Sequence, residues 1–291
     1  MARTPRHVHI EVGTRRLLGL LASAPSSPSS SSIVLYFHGF PDLSVHPDTS
    51  APPDFASRMP RKLQELLPYD LLCVNFSGLP GSDDVVPYRS KLLSRELEDA
   101  DGMIAYCEHA LQKQHVHVVG LSTGAILATL LRNHTQHKSL RSIAVIAGIA
   151  DTAAGIHLDF SQDQLDAAQV HGYCMTPFFW PTDWPLPADA TDFDASSGKL
   201  FRPLDAAYLD DMKSLDIATS VRDGPIPLLV IHGDQDKNVP LRHGETLFQS
   251  AREPKQWLLL KGANHLLSNS KHIKRAAADI QRHIHQSETD M

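Results

Sequence analysis

The chain predicts an α/β fold in which a mostly parallel, twisted sheet carries helices on both faces. Three observations point to it. From residue 33 onward, strand-like and helix-like segments alternate, and that alternation implies parallel strands joined by right-handed helical crossovers. The strand-like segments include continuous apolar runs such as Ile33-Val34-Leu35-Tyr36-Phe37, as strands buried on both faces require. Apolar residues make up 42% of the 291 residues and charged residues 21%, enough for one large domain with a sizeable core and an insertion.

Taken in order, His7 to Gly13 and Arg15 to Leu21 read as two short strands around a Gly13-Thr14 turn. Residues 23–32 hold seven serines and two prolines and read as a surface loop within the domain. The apolar run 33–37 leads into His38-Gly39-Phe40-Pro41-Asp42, followed by a helix from about Pro53 to Leu67 and a buried strand from Leu71 to Asn75. A glycine-rich turn, Phe76 to Asp83, precedes a long amphipathic helix from about Lys91 to Lys113. Val116 to Val119 then form a strand, and Ala125 to Leu130 a helix. Ser142 to Ala147 is the sixth strand.

Periodicity is lost from Ala150 to about Leu204, far longer than the 2–6 residues or so that an ordinary connection needs. Tyr173, Phe178, Phe179, Trp180, Trp184, Phe193 and Phe201 lie there with Pro177, Pro181, Pro185 and Pro187, a composition that suits a cap and not a disordered linker. The expected organisation is a core of residues 1–150 and 205–291 with a cap, or lid, over 151–204. The core resumes with a helix from Ala206 to Leu215 and a strand from Pro227 to Ile231. A helix from Leu241 to Ala251, a last strand from Gln256 to Leu260 and a closing helix from Lys271 to His285 complete it.

A formal charge of −6 and a pI near 6.3 argue against nucleic acid or an anionic membrane surface as partner. No run approaches the roughly 18 apolar residues of a membrane helix. Met1 to Arg16 is basic without an apolar segment, so no signal peptide is expected. Cys73, Cys107 and Cys174 are odd in number and widely spaced, which reads as reduced thiols in a cytoplasmic protein. None of the seventeen histidines sits in a metal-ligand frame such as HExxH, so no metal is expected. The sequence is silent on oligomeric state.

The chemistry concentrates in Gly120-Leu121-Ser122-Thr123-Gly124, the G-x-S-x-G pattern of a nucleophile elbow between a strand and a helix. Small neighbours let strand and helix approach, and the helix N-terminus aims free N–H groups at the serine. Downstream, Leu228 to Ile231 runs into His232-Gly233-Asp234-Gln235-Asp236, and the last strand runs into Lys261-Gly262-Ala263-Asn264-His265. Serine, acid and base therefore follow in that order, each just past the carboxyl end of a strand. Asp234, Asp236 and, after the preceding strand, Asp151 are the candidate acids.

On these motifs the chain resembles the α/β-hydrolase superfamily from about Val34 to its end. The order Ser…Asp…His is shared with that family and not with subtilisin or chymotrypsin. The resemblance implies Ser122 as nucleophile, His265 as base and, through the pattern G-x-x-D-x-x-V-P at Gly233 to Pro240, Asp236 as acid. It implies an oxyanion hole made by the N–H groups of Thr123 and Phe40, since Pro41 has none. Asp234 then reads as a turn-forming side chain, and His38 and His232 as structural. Epoxide hydrolases and haloalkane dehalogenases share HGxP but use an aspartate nucleophile, so their chemistry does not carry over. The HGGG run of many lipases is absent.

The implied activity is hydrolysis of a carboxylic ester, thioester or lactone through an acyl-serine, with no cofactor. Tyr173, Phe178, Phe179, Trp180 and Trp184 would line an apolar substrate pocket. Acyl transfer or carbon–carbon bond hydrolysis on the same triad, and a non-catalytic binding protein on this scaffold, are the alternatives.

Overall fold

An eight-stranded sheet in the order β1 (Arg6–Val12), β2 (Arg15–Ala22), β4 (Asp70–Val74), β3 (Ser32–Phe37), β5 (His115–Leu121), β6 (Leu140–Ile146), β10 (Leu228–Gly233), β11 (Lys255–Leu260) organises the protein. A computed structural model describes residues 5–24, 31–134, 136–182, 184, 186–187, 190 and 192–289. β1 and β2 form an antiparallel hairpin, and β2 also pairs antiparallel with β4. β3, β4, β5, β6, β10 and β11 are mutually parallel. Every residue of β3 and β4 is buried, which explains why Ile33 to Phe37 and Leu71 to Val74 are unbroken apolar runs and do not alternate.

Helices cover both faces. Alternate residues of the central strands feed two separate apolar clusters, so that Val116 and Val118 of β5 point to one and Val119 and Leu121 to the other. The first is closed by α2 (Leu93–His109), α3 (Thr123–Leu130), α7 (Ile217–Asp223) and α8 (Leu241–Ser250), through side chains such as Met103, Ile126, Val221 and Leu247. The second is closed by α1 (Arg58–Leu66) and α9 (Ser270–Thr289) through Leu63, Ile273 and Ile280.

Element boundaries differ from the sequence reading where local loops override periodicity. α1 starts at Arg58 and not near Pro53, because Phe55 is still bridged to Val45 in an extended loop. α2 starts at Leu93 after a 3-10 turn at Tyr88–Ser90. α7 is an additional helix, and α9 runs past His285 to Thr289.

The segment between β6 and α6 (Ala207–Ser214), which shows no clear periodicity in sequence, contains regular structure. α4 (Thr152–Asp159) is capped by Asp151, whose carboxylate accepts from Ala154 N at 3.0 Å. α5 (Gln162–His171) opens on a capping box made by Ser161 and Gln164 and closes on Gly172 at φ 77°. A second, antiparallel sheet follows in the order β7 (Tyr173–Phe179), β9 (Lys199–Asp205), β8 (Asp192–Asp194). Its aromatic side chains Phe178 and Trp180, with Phe160 at the end of α4, join the first apolar cluster of the main sheet. The serine-rich connection expected over residues 23–32, Pro185 and the final two residues lie wholly or mostly outside the described residues.

Among the described residues no helix is long and apolar enough to cross a membrane, and no group of three or more His, Cys, Asp or Glu is arranged to hold a metal ion.

Candidate active site

Because β3, β5, β10 and β11 are parallel, the loops that follow them meet at one edge of the sheet. Ser122 sits between β5 and α3 at φ 55°, ψ −117°, a conformation that side chains rarely adopt. Its backbone is held by Ser122 N donating to Ile146 O and by Ala125 N donating to Ser122 O, both at 2.9 Å. The two flanking glycines have a packing reason. A Cβ at Gly120 would stand 2.3 Å from Gly124 O, and one at Gly124 would stand 2.3 Å from Phe37 O. Strand, helix and the end of β3 therefore meet backbone to backbone, which lifts Ser122 out of the turn.

Asp236 and His265 are joined: His265 Nδ1 donates to Asp236 Oδ2 at 2.9 Å. The other carboxylate oxygen accepts from Asn238 N and Val239 N, each at 2.9 Å. Burial works against the Asp236 charge, but the His265 hydrogen bond and charge with these two N–H groups hold it below the ordinary carboxylate range. Asp234 faces away and accepts from Gly262 N at 2.6 Å, bracing the loop that carries His265. Asp151 is occupied as the cap of α4. Ser122 is 5% exposed, and its hydroxyl has no hydrogen-bond partner among the described residues.

His38 Nδ1 donates to Gly39 O at 3.0 Å, and burial pushes its imidazole down to about 3, so it remains neutral and fixes the loop after β3. His232 Nε2 donates to Val239 O at 2.9 Å and braces the Asp236 turn from below. Among the described residues, neither Phe40 N nor Thr123 N donates to any acceptor, which leaves two free N–H groups beside Ser122. A Cβ at Gly39 would approach Ser122 Cβ to 3.1 Å, a measure of how closely this loop crosses the elbow. Beneath the loop lies a cavity of about 10 Å³ lined by His38, Phe40, Thr123 and the buried, contacting pair Lys91–Glu96. Burial lowers Lys91 to about 7, with Asp99 opposing and Arg202 reinforcing. Cys73 is packed in β4 with burial raising its thiol far above the ordinary range, and Cys174 is buried in β7.

The five aromatic residues named from sequence divide. Phe178 is buried against Tyr88 at 5.0 Å between ring centroids, and Trp180 is 1% exposed. Trp184 packs edge-on to His46 and Trp180. Tyr173 lies under Arg89, and Phe179 is 80% exposed. Phe178, Phe179 and Trp184 line a cavity of about 70 Å³ with Pro41, Asp42 and Leu43 of the loop after β3. The rings that touch Phe40 itself are Phe160 and Tyr208, which sequence reasoning did not single out. A signal for Phe160 existed: it directly precedes the Ser161-x-x-Gln164 box, where an apolar residue anchors the helix entry. Asp159, beside it, lies within electrostatic reach of His265 and is raised to about 6, chiefly by burial.

A parallel sheet led by an antiparallel hairpin, flanked by helices and carrying its loops of interest at the carboxyl edge, defines the α/β-hydrolase fold. A model of the alpha/beta hydrolase family matches residues 34–278, and the chain belongs to that family. Over 42 residues, 14% of this chain and 15% of the relative, it is 45% identical to the uncharacterized protein YfhR of Escherichia coli (strain K12). Among solved structures it is similar to the esterase domain of a Rhodothermus marinus protein, at 19% identity over 96% of both chains with a TM-score of 0.62. Est1E of Butyrivibrio proteoclasticus, solved with ferulic acid bound, matches at 16% identity over 97% of this chain and 99% of that one, TM-score 0.67. Mouse alpha/beta hydrolase domain-containing protein 10 matches at 13% identity over 97% and 99%, TM-score 0.65. At these identities the likeness is one of fold.

Proposed function

We propose that this protein is a serine hydrolase that cleaves a carboxylic ester, thioester or lactone carrying an apolar or aromatic acyl group. The observation that carries the reading is the 2.9 Å hydrogen bond from His265 to Asp236 on the edge where Ser122 occupies its strained turn. Ser122 Oγ attacks the carbonyl carbon while His265 takes its proton, and Asp236 keeps the imidazole in the accepting tautomer. The N–H groups of Phe40 and Thr123 receive the oxyanion, each donor contributing about 3–4 kcal/mol of transition-state stabilisation. His265 returns the proton to the leaving alcohol or thiol, and water then releases the acyl group by the same steps in reverse order. The Ser122–His265 contact forms with substrate in place, as catalytic hydrogen bonds commonly do.

Residues 151–204 act in this reading as a cap over the carboxyl edge, shielding the acyl-enzyme from solvent. The apolar cavity between Trp184, Phe178 and Pro41 supports an apolar acyl group, and the ferulic acid bound to Est1E is consistent with an aromatic one. The three free, buried cysteines support a reducing compartment such as the cytoplasm. The test is turnover of p-nitrophenyl acetate, p-nitrophenyl butyrate, a feruloyl ester and an acyl thioester by wild type and Ser122→Ala. Hydrolysis of at least one substrate, lost by about 10³-fold or more in the variant, supports the reading. Equal turnover by both proteins contradicts it.

A further inference from the structure

Phe40 carries the second free N–H of the site, and its side chain is clasped from above. Its ring stacks on Tyr208 at 5.4 Å between centroids and 28° between planes, and lies 5.7 Å from Phe160 at 36°. Phe160 and Tyr208 themselves stand 6.0 Å apart, so the three rings form a closed cluster. Both partners are buried, Phe160 at 2% and Tyr208 at 1% exposure. Neither belongs to the main sheet: Phe160 ends α4, and Tyr208 lies in α6.

The turn that bears that N–H is closed by one backbone hydrogen bond, from Asp42 N to Gly39 O at 3.0 Å across Phe40 and Pro41, and few side chains hold it otherwise. Gly39 has no side chain, and its backbone runs too near Ser122 to accept one freely. Pro41 has no N–H to anchor. The His38 ring holds Gly39 O, one residue earlier. The Phe40 ring is thus the main side-chain handle on the peptide that bears the donor.

Resting on the hydrolase reading above, we propose that Phe160 and Tyr208 are positioning residues which, by clasping Phe40, aim its N–H at the developing oxyanion. Through Phe160 the segment between β6 and α6, and through Tyr208 the helix α6, set catalytic rate. A donor displaced by about 1 Å forfeits much of its effect, and loss of one donor costs about 10²–10³ in kcat. An interaction needed only in the transition state appears in kcat and leaves KM nearly unchanged.

The experiment compares kcat and KM for p-nitrophenyl acetate, a substrate too small to need an acyl pocket, in wild type, Phe160→Ala, Tyr208→Leu and Tyr208→Phe. Affinity for a boronic acid, which mimics the tetrahedral intermediate, and labelling of Ser122 by a fluorophosphonate are measured alongside. Phe160→Ala and Tyr208→Leu are expected to lower kcat by about 10–100-fold with KM within about threefold, and to weaken boronic acid binding in parallel. Tyr208→Phe, which keeps the ring, is expected to match wild type. Unchanged kcat, a loss confined to KM, or a gain in kcat/KM would overturn the proposal, the last two because the rings would then be pocket wall or plug. If Phe160→Ala does not fold, Phe160→Leu and the Tyr208 pair decide by the same criteria. A wild type that neither turns over the ester nor labels at Ser122 would overturn the hydrolase reading itself, and this proposal with it.

Discussion

His265 Nδ1 stands 2.9 Å from Asp236 Oδ2, and the second oxygen of that carboxylate is already saturated by the N–H groups of Asn238 and Val239. The turn after β10 therefore fixes the carboxylate independently of the histidine, and the carboxylate fixes the ring. Asp234, two residues earlier, is spent on Gly262 N and steadies the loop of His265 from the other side. The two aspartates thus have separable tasks.

Asp236→Asn is expected to lower kcat by about 10³–10⁴-fold, because an amide stabilises the wrong tautomer of His265. Asp234→Asn keeps an acceptor oxygen for Gly262 and is expected to lose less than about tenfold. Steady-state kinetics on one ester measure both, and the reverse ranking would move the acid to Asp234.

The elbow glycines are expected to be intolerant. Gly120→Ala and Gly124→Ala would each force a Cβ to 2.3 Å from a backbone oxygen, which something rigid must yield to. A cost of about 3 kcal/mol or more is expected, read as a fall in urea midpoint or a failure to accumulate as folded protein. Gly39→Ala meets Ser122 Cβ at 3.1 Å and is expected to keep its fold while losing activity. Near-wild-type stability in the first two would mean the strand and helix are not in backbone contact.

Much of this arrangement is legible in sequence. The apolar runs of β3 and β4, the G-x-S-x-G elbow and the spacing of Asp236 and His265 are local patterns, and each is a consequence of a parallel sheet buried on both faces. The segment after β6 is not legible in the same way. α4 and α5 have 8 and 10 residues with few buried positions, and β7 and β9 contain Pro177 and Pro203, so neither period stands out. Aromatic content marked that segment as apolar, but composition cannot say which ring meets the loop after β3. Phe160 and Tyr208 are brought to Phe40 by packing between elements distant in sequence.

Asp159 gives a stability prediction with a definite sign. Its carboxyl is raised from 3.8 to about 6, mainly by burial, with His265 acting in the opposite direction. Because the folded value is the higher one, ionisation costs stability, and the cost sets in as pH rises from about 4 to 6. Asp159→Asn removes that cost. The variant is expected to be about 1–2 kcal/mol more stable than wild type at pH 7.5 and indistinguishable near pH 4, the figure being reduced for partial solvation of the group. Thermal or urea unfolding at the two pH values checks it, and a larger gain at the lower pH would reverse the sign.

Acyl-chain preference should depend on the side chains that line the cavity beside Pro41. Each methylene leaving water is worth about 0.8 kcal/mol, so kcat/KM is expected to rise up to a few-fold per carbon from acetyl until the pocket fills. Trp184→Ala is expected to flatten that rise. Trp180→Ala and Phe178→Ala remove buried rings and are also expected to cost about 3–5 kcal/mol of stability, whereas Phe179→Ala, at a largely exposed position, is expected to cost little stability. Kinetics across an acyl series and unfolding of each variant separate the two effects.

Whether Ser122 carries the acyl group is tested most directly by trapping the intermediate. Wild-type protein mixed with excess p-nitrophenyl ester and quenched in acid during the first turnover is digested, and its peptides are weighed by mass spectrometry. The expected result is one added acyl group on the peptide containing Ser122, absent in Ser122→Ala and accumulating in step with the burst of nitrophenol. Turnover with no acylated peptide, or the acyl group on another residue in both proteins, would contradict it.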